Sequence, residues 1–525
     1  MIFDLTFIGG GVGGSFGLIN FLNNISKIKK KTVIKIAIVD KNLKNIPGGV
    51  PYSENLSSNG FFNNPCRLSP EEFIIWSLKN NNKLLLVNYL KKQKNHAIKS
   101  WLNLNQKKYL KSQNIKEINE IYFPRIFLNF WLKDLYKKVV QNKKKNIQLF
   151  FFESEVLELK KIKKNFSLVF KKNIFNHKLN IKKFIFSKTS FSLNKLLLSN
   201  EIFISLGLPS PSNIFAKKIK DTFFMHNLYE QGGTIKLRNL ISKKFKKKKK
   251  ITIHFLGAKA GFLECLPELS YLILNKKLPI DIISTSQKAE TLNSASFSKN
   301  SSRYKLRYFL SNNLKKIKDG KSLNEAIKNE FKHAKINNFQ TYDAWTKILS
   351  KKIMSKVLKN FSTNDLKKYN DHYHNKIRNI TRFTYPFTVD SKNRLEECGK
   401  IRMVKGKIIK VLKNKDNFVT KTLIFSKKKN RITNFKSDII VSVTGPQKFE
   451  DLLKKNTFYK SLNNLGKKST NKYGFIVNSN FQMISNPKIY IVSFNASGYN
   501  NKRETVVKAI INNSKQASNN ISKTF

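Results

Sequence analysis

Cysteine is scarce: Cys66, Cys265 and Cys398 are three in 525 residues, far apart and odd in number. That excludes a disulfide framework, and no paired redox cysteines are present. No cysteine or histidine spacing suits zinc, so no metal site is expected. No apolar run approaches the ~18 residues of a membrane span. The chain opens directly on an apolar stretch, with neither a basic leader nor an Arg/Ser-rich transit segment. These absences point to a cytoplasmic protein with no membrane partner. At a soft ~150 residues per domain, two to four domains are expected.

Acidic residues are also few, 32 against 101 lysines and arginines, for a net charge of +69. Such a balance suggests a nucleic-acid or membrane surface. Arginine, the residue suited to bidentate base and phosphate contacts, accounts for only 11 of the 101. Lysine, Asn, Ile and Phe abound together, as A/T-rich codons would produce, and the lysines are spread along the chain. The charge therefore reads as compositional, with no specific nucleic-acid partner, although weak polyanion binding follows from it. The densest run, Lys243 to Lys250, is expected to be a solvated loop. A basic binding module without catalysis is the alternative to an enzyme.

What is present begins at the first residues. An apolar run to Ile8 is followed by Gly9-Gly10-Gly11-Val12-Gly13-Gly14, an amphipathic stretch to Ile25, and a second apolar run ending at Asp40. Strand, glycine turn, helix, strand and terminal acid form the fingerprint of a dinucleotide site. Gly9 permits the tight turn, Gly11 lets backbone approach a pyrophosphate, and Gly14 allows close packing of helix on sheet. The helix N-terminus offers free N–H groups to phosphates, and Asp40 can accept from a ribose diol. An ADP-containing cofactor is implied.

A second unit of this kind spans Ile251 to Ser284. Its turn is Gly257-Ala258-Lys259-Ala260-Gly261-Phe262, with Lys259 and Phe262 at the second and third glycine positions. A side chain at Lys259 is expected to crowd a pyrophosphate, the alternative being that the lysine contacts a phosphate in a turn that no longer matches the fingerprint. Pro267 is expected to shorten or kink the following helix. Elsewhere, Gln148 to Phe170 suggests a strand pair. Glu201 to Leu206 ends at Gly207, and Asp438 to Val443 ends at Thr444-Gly445-Pro446. Ser301 to Arg378 reads as a helical insertion, Ile408 to Phe425 as a hairpin, Lys488 to Phe494 as a last strand, and Arg503 to Ile521 as a C-terminal helix.

Several weaker motifs follow in order. They are Gly48-Gly49-Val50-Pro51-Tyr52-Ser53, Asn63-Asn64-Pro65 through Arg67-Leu68-Ser69, Phe73 to Trp76, Tyr122-Phe123-Pro124-Arg125, and Glu504-Thr505-Val506-Val507. With the first glycine turn, this series resembles the bacterial FAD/NAD(P)-binding family, two-dinucleotide-domain flavoproteins distantly related to flavin N-hydroxylating monooxygenases. The resemblance implies an α/β, Rossmann-like FAD-binding domain (1–245 and 401–525). A smaller NAD(P)-binding-like domain with the helical insertion (246–400) would be inserted in it. It implies FAD on Gly9, Gly11, Gly14 and Asp40, with Asn63, Pro65, Ser69, Arg125, Gly207 and Gly445 nearby. Gly445-Pro446 would close against the flavin domain. NADPH or NADH would lie on Gly257 and Gly261, and the substrate would be a small molecule. Arg125 is suited to a phosphate or a substrate carboxylate, or to an ion pair. The expected activity is that of an FAD-dependent oxidoreductase, monooxygenase-like and reduced by NAD(P)H; a degenerate flavoprotein without catalysis is the alternative. Of the seven histidines, His226, His254, His333, His372 and His374 are too scattered to suggest a catalytic group.

Overall fold

The computed structural model describes all residues except 28–31, 55–59, 94, 208, 210, 212–218, 230–231, 351–352, 427–429, 446, 467–469, 472–473, 494–495 and 498–505. The strand Ile2–Ile8 sits between Ile34–Asp40 and Leu196–Ile204, parallel to both. Buried on both faces, these strands are near-continuous apolar runs, as a parallel sheet covered by helices requires. Ile147–Glu153 and Asn486–Ile491 extend the parallel part outward. Antiparallel additions, Ile174–Asn180 with Ile185–Leu193, Val156–Ile162 with Asn165–Phe170, and Gln482–Met483 on Asn486–Ile491, complete it. From Gln148 to Phe170, where a strand pair was expected, the structure holds three strands, and two more follow by Leu193.

A second sheet repeats the design. Ile251–Leu256 lies parallel to Ile280–Ser286 on one side and to Ile439–Ser442 on the other. Ile401–Lys413 continues it and leads into the antiparallel strands Phe418–Ile424 and Arg431–Ser437. Phe224–Met225 closes the far edge. The sheet therefore draws on residues from 224 to 442, against the 246–400 expected for the second domain.

The helical stretch between the sheets' strands is present as helices Gly320–Ile336, Thr341–Ser350 and Ile353–Lys359, with shorter turns to Ile380. Its apolar side shares one core with the helices Glu71–Leu78, His96–Lys111 and Ile126–Gln141 of the first unit. The first helix, Val12–Ile25, joins that core through Phe16, which packs on Trp131 at 5.3 Å. The C-terminal helix Val506–Ile521 packs along the first helix, where Ser518 donates to the Gly17 carbonyl at 2.8 Å.

Pro267 lies inside helix Ala260–Ser270, which passes into a π-turn at Tyr271–Asn275. A proline lacks the N–H for its i−4 bond, yet the helix continues past it to Ser270. The lysine run is not a simple solvated loop. Lys243 and Lys244 end helix Gly233–Phe245, and Lys244 is buried over the Phe223 ring. Lys248 pairs with Asp438 at 2.5 Å and Lys250 with Asp281 at 2.6 Å. Among the described residues, no helix is long and apolar enough to cross a membrane.

Candidate functional site: two glycine turns and the contact between them

The first turn joins Ile2–Ile8 to Val12–Ile25. Gly9 has φ +94°, and its N–H donates to the Val39 carbonyl at 2.8 Å. A Cβ on Gly9 would stand 2.3 Å from the Ser205 carbonyl oxygen, and one on Gly14 would stand 1.8 Å from the Gly9 carbonyl oxygen. Both glycines are therefore required by the chain's own packing. Gly11 differs. Its backbone is ordinary (φ −68°), and an added Cβ would meet only Gly49, at 3.4 Å, an ordinary contact. Gly11 caps the helix without a side-chain bond, leaving the first-turn N–H groups uncapped by it. This is a cradle that fits a pyrophosphate.

Asp40 ends the second strand. Its carboxylate accepts from the Gly10 N–H at 2.7 Å and the Asn42 N–H at 2.8 Å. Each oxygen retains a lone pair for a ribose hydroxyl. Burial raises its pKa, partly offset by those two backbone bonds. Ser205 N–H donates to the Ile8 carbonyl at 2.8 Å, so Ser205-Leu206-Gly207 leaves the sheet beside the glycine turn. Gly207 is exposed and faces open space.

The second turn reproduces the first around Val443. A Cβ on Gly257 (φ +123°) would lie 2.5 Å from the Val443 carbonyl oxygen, and one on Gly261 would lie 2.8 Å from a Val443 side-chain carbon. Gly445 (φ +91°) follows two residues later, in open space. It lies three residues past the Ile439–Ser442 strand of the second sheet. Pro446 lies outside the described residues, as do Glu504 and Thr505. Phe262, in place of a third glycine, is fully buried on Phe255 at 5.1 Å.

Lys259 caps the second helix, and its amine donates to Asn379 Oδ1 at 2.9 Å. That draws it toward the helical insertion. Its pKa is lowered, first by burial and then by Arg382 and Lys288, with Arg378 adding and Glu290 opposing. Arg382 is half-buried, and burial lowers its pKa as well. The backbone brings these groups together, because Asn293 N–H donates to the Arg382 carbonyl at 3.2 Å just beyond the Ile280–Ser286 strand.

Asn63, Pro65 and Ser69 lie in a segment that runs beside residues 119–124. Phe62 N–H donates to the Phe123 carbonyl at 3.0 Å, and Cys66 N–H to the Ile121 carbonyl at 2.8 Å. Pro65 is buried and starts the short turn Cys66–Leu68, while Ser69 ends it; Asn63 is half-buried. Arg125 joins this segment, but not as a free anion ligand. Its guanidinium pairs with Glu264, Nη2 to Oε1 at 2.5 Å, and its Nε donates to the Phe61 carbonyl at 2.9 Å. Of the two readings open for Arg125, the structure shows the ion pair. Sequence reasoning missed Glu264, Tyr229 and Asn379. A signal existed for Glu264, an acid inside the otherwise apolar run Phe262 to Leu266.

Residues 6–178 match a family model described as FAD-NAD(P)-binding, so an FAD/NAD(P)-binding domain holds the first turn. Over the whole chain, the fold is that of flavin-dependent N-hydroxylating enzymes of known structure. The reduced form of the ornithine hydroxylase PvdA from Pseudomonas aeruginosa is similar at TM-score 0.53 and 10% identity, covering 100% of this chain and 99% of that one. L-lysine 6-monooxygenase from Pseudomonas syringae gives 0.51 at 10% identity, covering 99% of each chain. The ornithine N-hydroxylase of Kutzneria sp. 744, solved with reduced FAD, NADP+ and L-ornithine, gives 0.50 at 11%, covering 100% of each. A comparison with curated protein sequences finds no match.

Proposed function

We propose that this protein is an FAD-dependent oxidoreductase, monooxygenase-like and reduced by NADPH in preference to NADH, acting on a small amine in the cytoplasm. The observation that carries the flavin assignment is Gly11. The fold does not need a glycine there, whereas a pyrophosphate at the uncapped helix start does. FAD supplies the redox chemistry when bound. The chain's residues bind and orient it: Asp40 for the ribose, the first-helix N–H groups for the phosphates. Residues 1–223 and 444–525 form the flavin unit in this reading, and 224–443 the nucleotide unit. The preference for NADPH rests on Lys259, Lys288 and Arg382, cations gathered where the second sheet's first two strands end. The amine follows from the ornithine and lysine enzymes that share the fold.

The purified protein should carry bound flavin absorbance. NADPH should bleach it without oxygen faster than NADH does, and an amine substrate should then raise NADPH consumption in air. A colourless protein that fails to take up added FAD would overturn the reading. Bound flavin that neither nucleotide bleaches would instead support a flavoprotein whose second unit is structural, the reading that the buried Phe262 in place of a third glycine favours.

A further inference from the structure

The helix after the second turn, Ala260–Ser270, is joined to the flavin unit by a few directional contacts. Glu264 accepts from Arg125 through both guanidinium ends, at 2.5 and 3.4 Å, and, within its own unit, from the Tyr229 hydroxyl at 2.8 Å. The Arg125 and Glu264 side chains are only 13% and 11% exposed. On its other side Arg125 is held by the loop before Asn63, with its N–H on the Gly60 carbonyl and its Nε on the Phe61 carbonyl, both at 2.9 Å. Gly60 leaves it room, since a Cβ there would come within 3.2 Å of the guanidinium. Seven residues beyond Glu264, Tyr271 stacks on His96 of the flavin unit at 4.4 Å.

A buried ion pair contributes little net stability over an apolar pair of similar volume, but its bidentate geometry is specific in distance and angle. Glu264 lies five residues from Lys259, about 7.5 Å along the helix at 1.5 Å per residue. A shift at Glu264 is therefore transmitted to the second turn through a rigid helix. Burial and Glu264 raise the pKa of Tyr229, so its hydroxyl remains a donor.

We infer that Arg125, Glu264 and Tyr229 form a positioning set that fixes the second glycine turn relative to the Gly60-to-Ser69 loop of the flavin unit. These residues act on the geometry between two nucleotides and touch neither reacting group. The inference rests on the proposed reduction of the flavin by a nucleotide on the second turn.

The test uses the flavin-loaded protein and two variants, Glu264→Gln and the double variant Arg125→Met with Glu264→Met. The second keeps volume and removes both buried charges. Hydrogen exchange over residues 60–69 and 257–264 should accelerate in both variants. At saturating NADPH, anaerobic bleaching should slow by up to about 100-fold, as an ångström-scale misplacement does. Flavin content, nucleotide affinity and, in the double variant, unfolding temperature should be unchanged. Unaltered exchange in both segments, or native bleaching in a folded double variant, would overturn the inference. If neither NADPH nor NADH bleaches the native protein, the functional reading fails, and the exchange measurement alone decides the positioning role.

Discussion

The two glycine turns share one backbone design but differ in what each position answers to. Gly9 meets the Ser205 carbonyl as Gly257 meets that of Val443, and Gly13 meets the Ser205 side chain as Gly261 meets that of Val443. These outer glycines serve the close approach of two adjacent strand ends, and each unit needs them whether or not a nucleotide is bound. The middle position is Gly11 in one turn and Lys259 in the other. Packing does not dictate that position, so it alone reports on the ligand. The second turn is thus altered at the middle position and at Phe262, while its sheet-facing glycines remain.

The sharpest way to break this comparison is Gly11→Asp. Its backbone suits any residue and aspartate is a good helix cap, so the fold should survive. The added charge should repel phosphate and lower flavin affinity by about 1000-fold or more, about 4 kcal/mol. Equilibrium dialysis with FAD measures this, and retained stoichiometric flavin would remove Gly11 from the site.

Gly14→Ala should act on the fold instead. Its Cβ would stand 1.8 Å from the Gly9 carbonyl oxygen, and relieving that overlap should cost about 3 kcal/mol in chemical unfolding of the flavin-free protein. A loss of flavin without a loss of stability would reverse the division between packing and ligand positions.

The central strands offer a comparison in acid. The first sheet buries a non-titrating pair, Thr6 donating to Ser199 at 2.9 Å. The second buries His254 against Thr285 at 2.8 Å, and burial pushes the imidazole pKa down to about 3. The unfolded chain takes up that proton near pH 6.5, while the folded chain resists it until about pH 3. Stability is therefore present above pH 6.5 and lost as pH falls through that window, by up to about 1.4 kcal/mol per unit. Urea unfolding at pH 7 and pH 5 should show this in the native chain and a flatter dependence in His254→Asn.

The smallest effect is expected at Lys259. Lys259→Gly restores the middle glycine but removes a cation and the bond to Asn379. NADPH affinity should fall by about tenfold, about 1.4 kcal/mol, while NADH affinity changes little. Tighter binding of both nucleotides would show that the side chain obstructs the pyrophosphate, as its position in the fingerprint suggested.

By itself, the sequence determined the elements whose signals are local: both strand–turn–helix–strand units, the helical insertion, and the places of Gly9, Gly11 and Gly14 in the first turn and of Asp40 at a strand end. Apolar runs, glycine spacing and a terminal acid are written in consecutive residues, so no tertiary information is needed to read them. The antiparallel strands from 174 to 193 were not legible, because their many polar and exposed or half-buried residues leave no clear apolar alternation. Only the tertiary structure decided that residues 401–442 join the second sheet. It alone showed that Lys248 and Lys250 pair with Asp438 and Asp281. The same holds for Arg125. Its partner Glu264 lies 139 residues away, and a long-range ion pair depends on how two sheets are docked, which no local pattern encodes.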